Sequence, residues 1–373
     1  MTLCKHVKTR SLVSHVASER EGGRTFRVIF VIVLAFLVVF IVCSYFLTMP
    51  LGLVLFYSTP NGTAISAQSY PLPVGFFMFF GFSFHLNAGV AFMLLWILFI
   101  ACFIAAWKLR TSFIQAIKNG VSQSVAKLFD NNLFMMSIIS STLLVAFIMI
   151  SFFQEQVAGI PTGEIPIDPN PFETFLWVAY APFVEELSFR VSSIGFLLIL
   201  YLFVVGREQL AKLSSRQIVK LIIMTPLYPD KAKHWLGVKT VRDHGTRAIS
   251  VFEWIMIIST SVVFGAVHYL YGGGWGLGKI TTATLDGLVF GLTYLMYGAQ
   301  APILLHWFFN YYLWFITQPE FATQYYPNIY PIFLIAWLGI LILGCLGLAT
   351  FLTLGVSKIM KKPPSKETSY YDT

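Results

Sequence analysis

Eight stretches of the chain are almost wholly apolar, at about 28–48, 85–107, 132–153, 174–205, 251–271, 281–298, 300–317 and 329–356. A helix needs about 20 such residues to cross the hydrocarbon core of a bilayer. The pattern therefore predicts an all-α, polytopic integral membrane protein with about eight transmembrane helices. The fourth and eighth stretches are longer than a perpendicular crossing requires, which implies tilt or an extension past the interface. Between the first two lies Phe76 to Phe84, also apolar, which either lengthens the second span or dips into the interface. Pro71, Pro73 and Gly81 argue against a continuous helix there. The domain reading is a 1–27 N-terminal segment, a membrane domain over 28–356 and a 357–373 tail.

Composition agrees. Hydrophobic residues make up 57% of the 373 and charged residues 11%, against roughly 45–50% and 25% in soluble domains. The 36 Phe, 17 Tyr and 9 Trp suit lipid-facing surfaces and interfacial belts.

Charge sets the orientation. With the N-terminus in the cytoplasm and the spans alternating, the inner segments 1–27, 108–131, 206–250 and 357–373 hold 23 of the 25 Lys and Arg. The outer loops carry Glu155, Glu164, Asp168, Glu173 and Glu320. This asymmetry predicts both termini cytoplasmic. The formal charge of +8 then reflects topology and attraction to anionic lipid, with no nucleic-acid partner expected. The 206–250 loop is expected to sit on headgroups or, as the lesser reading, to dock a substrate tail. The first span reads as a retained signal-anchor, because no cleavage site follows it. Cys4, Cys43, Cys102 and Cys345 show neither a disulfide framework nor metal-type spacing. Asn61-Gly62-Thr63 is a glycosylation sequon on the expected outer side.

Three ionisable residues interrupt the fourth stretch, in Phe183-Val184-Glu185-Glu186-Leu187-Ser188-Phe189-Arg190. Insertion scales put each such charge at about 2.5–3.5 kcal/mol at a helix centre. Residues four apart share a helix face, so Glu186 and Arg190 are natural ion-pair partners, while Glu185 points about a quarter-turn away. A lone carboxylate in an apolar bundle suits a group that takes and gives protons. His268, in Phe264-Gly265-Ala266-Val267-His268, lies near the end of the fifth stretch, and His306 and Asn310 are four apart on the seventh. Singly these are as compatible with structural hydrogen bonds as with catalysis. Together they supply a base, a partner to orient it and donors for an oxyanion, the parts needed to add water to a carbonyl.

The ordered set Glu-Glu-x-x-x-Arg, Phe-x-x-x-His and His-x-x-x-Asn resembles the CPBP family, whose eukaryotic members are CaaX prenyl proteases of the Rce1 type. The small-residue run from Asp286 to Tyr294, ahead of His306 and Asn310, is also similar to that family. The resemblance covers about 175–315. It implies an α-helical intramembrane endopeptidase acting on a membrane-anchored, possibly prenylated, peptide or protein. By motif position Glu185 would activate water, with His268 orienting it or sharing its proton. His306 and Asn310 would stabilise the oxyanion, and Glu186 and Arg190 would support the site. The implied mechanism is glutamate-dependent with no cofactor expected. Zinc held across helices is the lesser alternative, since no His-Glu-x-x-His is present. The implied location is the plasma membrane or, in a eukaryote, the endoplasmic reticulum. The competing class is a non-enzymatic immunity factor, scaffold or transporter using the same groups structurally. Counting 1.5 Å per residue from Thr174 puts Glu185 roughly 16 Å deep, level with His306, whereas His268 falls nearer the outer side.

Overall fold

The computed structural model describes residues 3–78, 80–164, 170–272 and 274–360. Asp168, Cys4 and the basic side chains of the first 27 residues, and the side chains of the 357–373 tail, lie outside that description. Among the described residues, six helices are long and apolar enough to cross a membrane: Val28–Ser58, Ala88–Lys108, Asn132–Gln156, Pro171–Val205, Val251–Tyr271 and Tyr330–Thr353. The first belongs to α1 (Leu3–Ser58), and the next four are α2 to α5 in order. Two more helices, α6 (Lys279–Tyr297) and α7 (300–317), occupy the sixth and seventh apolar stretches, and α8 is Tyr330–Met360. The chain is a multi-pass, all-α integral membrane protein.

The Phe76 to Phe84 stretch does not extend α2. It forms the tip and the first part of the second strand of a β-hairpin, β1 (Ser69–Phe76) and β2 (Phe80–Asn87), and α2 starts only at Ala88. Pro71 and Pro73, which cannot donate to a helical ladder, sit in β1.

Helix α7 lies at the centre of the bundle. Every residue from Gln300 to Trp307 is buried, as expected of a helix apolar on all sides. Tyr311 Oη donates to Thr48 O (3.0 Å), Trp96 Nε1 donates to Met49 O (2.9 Å), and Tyr45 packs edge-on to Tyr312 with ring centroids 4.6 Å apart. Much of the aromatic content thus fills this core, rather than only the lipid face and interfacial belts that composition suggested.

Close approach of α5 to α6 depends on small residues. A Cβ on Gly287 would lie 2.8 Å from Ser261 Cα, and one on Gly291 would lie 3.0 Å from Ile257 Cγ2. Such contacts let two membrane helices pack backbone to backbone.

The 206–250 loop folds into short helices, including Ser215–Leu227 and Pro229–Trp235. Its nine basic residues are not equivalent. Lys233 is buried, with Nζ donating to Glu253 Oε1 (2.8 Å) and Ala248 O (3.2 Å), so it braces the loop against α5 and does not face headgroups. Asp230 pairs with Arg110 at 3.6 Å, and burial pushes its carboxyl above the usual range. Asn61, in the sequon, is exposed and donates from Nδ2 to Tyr325 Oη.

Candidate active site

Helix α4 changes character at the Glu-Glu pair. It begins at Asn170, whose side chain caps the N–H of Phe172, and Pro171 fits the first turn. It is α-helical through Glu186, becomes a π-helix over Leu187–Ile194 and resumes as an α-helix at Gly195. Ser192 and Ser193 both donate to Ser188 O, at 2.9 and 2.7 Å, bonding a carbonyl inside the widened turn. A second π-turn, Phe308–Tyr312, follows His306 on α7. Such turns interrupt helices mostly at functional sites, and both here adjoin the candidate residues.

Glu186 and Arg190 are fully buried and paired, with Arg190 Nη1 donating to Glu186 Oε1 at 3.0 Å. The same oxygen lies 2.9 Å from His306 Nδ1. Arg190 Nη2 donates to Gly287 O (3.3 Å), and its guanidinium stands 4.4 Å from the Phe264 ring centroid. A buried charge needs a partner of opposite sign, and this pair has one, although Arg190 Nε and Glu186 Oε2 make no hydrogen bond among the described residues. Here α4, α5, α6 and α7 all contribute.

Glu185 points elsewhere, as the quarter-turn offset implies. Its Oε2 is 3.8 Å from His306 Nε2 and 3.9 Å from His268 Nε2. These spacings are too long for direct hydrogen bonds, and Oε2 is itself buried with no hydrogen-bond partner among the described residues, an unused acceptor facing both imidazoles. His268 Nδ1 lies 2.7 Å from Phe264 O. A carbonyl only accepts, so Nδ1 carries the proton and Nε2 of the neutral ring is free to accept. The side chains of Glu185 and His268 are 29% and 17% exposed, against 5% for His306 and none for Glu186. The reachable side of the site is therefore the Glu185–His268 side.

Counting residues had placed His268 nearer the outer side, and this is corrected. Its ring is level with the Glu185 carboxylate, because the helices do not start and stop in one plane. Asn310 follows His306 on the π-turn and is half-buried. Among the described residues, no hydrogen bond joins its side chain to the other three. No group of three or more His, Cys, Asp or Glu side chains among the described residues has an arrangement suited to a metal ion.

Four features of the site were not foreseen: the Glu186–His306 bond, the Phe264 carbonyl beneath His268, the π-turns, and the hairpin along α4. Tyr180 Oη donates to Pro73 O (2.7 Å), a Cβ on Gly75 would approach Ser188 Oγ to 2.9 Å, and the Phe77 N–H donates to Ser192 Oγ (3.0 Å). The serines at 188, 192 and 193 were the only hint in the sequence. Asp286 on α6, which the sequence offered only within the small-residue run, is a further buried carboxylate.

Residues 168–312 match the family described as Rce1-like, type II CAAX prenyl endopeptidase. This part of the chain is Rce1-like. The Rce1-like segment contains all six candidate residues, both π-turns and the 206–250 loop. Helices α1 to α3, the hairpin and α8 lie outside it. No curated protein and no solved structure matches the chain.

Proposed function

We propose that this protein is an intramembrane endopeptidase that hydrolyses a peptide bond of a membrane-associated, prenylated CaaX-type substrate by glutamate-activated water. The observation that carries this reading is the approach of two imidazole Nε2 atoms to one buried, unpartnered oxygen of the partly exposed Glu185 side chain, inside an Rce1-like segment. Water held by Glu185 and His268 loses a proton to Glu185 as its oxygen attacks the scissile carbonyl. Negative charge develops on the carbonyl oxygen, where Asn310 Nδ2 and His306 Nε2–H donate. His306 can serve as that donor only with both nitrogens protonated, since Nδ1 already donates to the acceptor-only carboxylate of Glu186. The doubly protonated ring and Arg190 then balance Glu185 and Glu186, leaving the buried set neutral. Collapse of the tetrahedral intermediate breaks the C–N bond, and the proton taken by Glu185 passes to the departing amine. No metal is needed for these steps. The charge asymmetry supports a cytoplasmic 206–250 loop, and the reading puts the protein in the plasma membrane or, in a eukaryote, the endoplasmic reticulum.

The test is hydrolysis of an S-farnesylated CaaX peptide by purified protein in lipid nanodiscs. Glu185→Gln keeps shape and hydrogen bonding but removes the base, and kcat should fall by about 10²–10⁴. Yield and melting temperature should stay near those of the parent protein, because Glu185 makes only long, partly exposed contacts. A wild-type protein with no hydrolytic activity on prenylated or unprenylated peptides would favour the structural, non-enzymatic reading.

A further inference from the structure

The hairpin runs beside a membrane-spanning helix, and one of its edges is unpaired. Its anchors on α4, Tyr180 and Ser192, are nine and twenty-one residues in from Pro171, or roughly 14 and 30 Å along the helix axis. Ala88 N–H donates to Gln68 O (2.8 Å), one step beyond the Ser69↔Asn87 pair. Bonded and non-bonded pairs alternate in an antiparallel ladder. Tyr70, Leu72 and Val74 therefore bond to Leu86, Phe84 and Phe82. The backbone groups of Pro71 and Pro73 point to the opposite edge, where Pro73 O accepts from Tyr180. By the same alternation the N–H and C=O groups of Gly81, Ser83 and His85 point outward from β2. Among the described residues nothing bonds to them. β1 buries alternate side chains, whereas Phe80, Phe82 and Phe84 on β2 are exposed by 70, 59 and 38%.

An open sheet edge is not tolerated against lipid, because unpaired backbone groups find no partner in hydrocarbon. A peptide to be hydrolysed has the matching need. Its scissile carbonyl must be freed from helical hydrogen bonding, so the segment must be extended, and its own N–H and C=O groups then need partners at the same depth. The hairpin that carries this edge also reaches the candidate site, through β1 and its tip. β1 crosses Ser188, one turn from Glu185. Met78 at the hairpin tip packs against the buried cluster of Phe189, Phe264 and Ala283, and Phe264 lies one turn before His268. The tip is strained, with Phe77 and Met78 at φ of 51° and 66°, a conformation that persists only where surrounding contacts hold it.

We propose that the outer edge of β2 is the substrate-binding strand: an extended apolar segment of the membrane-associated polypeptide pairs with Gly81, Ser83 and His85 beside Glu185. This rests on the protease reading and adds the mode of recognition, β-strand addition. Phe80, Phe82 and Phe84 would receive every second side chain of the bound segment.

The test measures binding to the Glu185→Gln protein in nanodiscs, with an S-farnesylated CaaX dodecapeptide and an unprenylated apolar twenty-residue peptide as probes. Ser83→Pro removes an outward N–H and leaves the β1 ladder intact, a position where proline is tolerated in an edge strand. It should weaken binding of at least one probe tenfold or more, while Ser83→Ala changes it less than twofold. On the unaltered Glu185→Gln protein, single N-methylation along the peptide should weaken binding with a period of two residues. This second arm stands even if Ser83→Pro misfolds. Equal binding by the proline and alanine variants, an N-methyl profile without alternation, or no binding of either probe would overturn the proposal. So would a dimer that Ser83→Pro converts to monomer without loss of peptide binding, since a second copy would then cover the edge. Alternating binding with no cleavage by the wild-type protein would defeat the protease reading alone. Cleavage without alternation would defeat this inference alone.

Discussion

Glu186 Oε1 accepts from His306 Nδ1 at 2.9 Å and from Arg190 Nη1 at 3.0 Å, so one oxygen joins α7 to α4 and fixes how the His306 ring presents its other nitrogen. A histidine beside a catalytic group is defined by what holds its far side. Here that partner is a carboxylate already neutralised by Arg190. The ion pair expected from i,i+4 spacing is thus also the support of a catalytic candidate.

Two losses should therefore coincide in Glu186→Gln. Arg190 would remain buried without its counter-charge, a change that costs about 3–5 kcal/mol, and His306 would be left with a neutral amide oxygen, a weaker acceptor that Arg190 also needs. Melting temperature in detergent and kcat on the peptide substrate should both drop. A variant with full stability and full activity would show that the shared oxygen is incidental.

Asn310→Ala should behave differently. Its side chain makes no hydrogen bond to the other site residues among those described, so folding should be little affected. If it donates to the oxyanion, kcat should fall by about 10²–10³ with KM nearly unchanged. Unchanged kcat would remove Asn310 from the mechanism.

Gly287→Leu tests the helix contact behind Arg190. Any side chain at 287 meets Ser261 Cα, which is backbone and cannot rotate away. The expected result is overpacking of about 1–3 kcal/mol, read as a lower melting temperature. Activity should also decline, since separating α5 from α6 moves Gly287 O away from Arg190 and His268 away from Glu185. An unchanged melting temperature would refute the close packing.

Chelation separates the two hydrolytic mechanisms. With water activated by Glu185 and His268, hydrolysis should persist after exhaustive treatment with a chelator, because no ion is required to lower the pKa of the water. A zinc mechanism needs bound metal at each turnover. Activity that disappears on chelation and returns with stoichiometric zinc, with metal content measured on the same sample, would replace the glutamate mechanism.

Local periodicity decided a good deal of this protein. Uninterrupted apolar stretches located the long helices, since a bilayer imposes both length and composition. Four-residue spacing paired Glu186 with Arg190 and set Glu185 apart, since helical geometry alone determines which neighbours share a face. The ordered motifs singled out His268, His306 and Asn310. What the sequence could not decide were relations between residues distant along the chain. The bond from Glu186 to His306 spans 120 positions. The level of His268 depends on where α5 stops relative to α4. Phe76 to Phe84 is as apolar as a helix, and it became part of a hairpin in which β1 pairs with β2 and bonds Tyr180 while the tip bonds Ser192. Those outcomes were set by packing of four helices and a hairpin around one buried charge cluster, and pairwise contacts of that kind leave no period in the sequence to read.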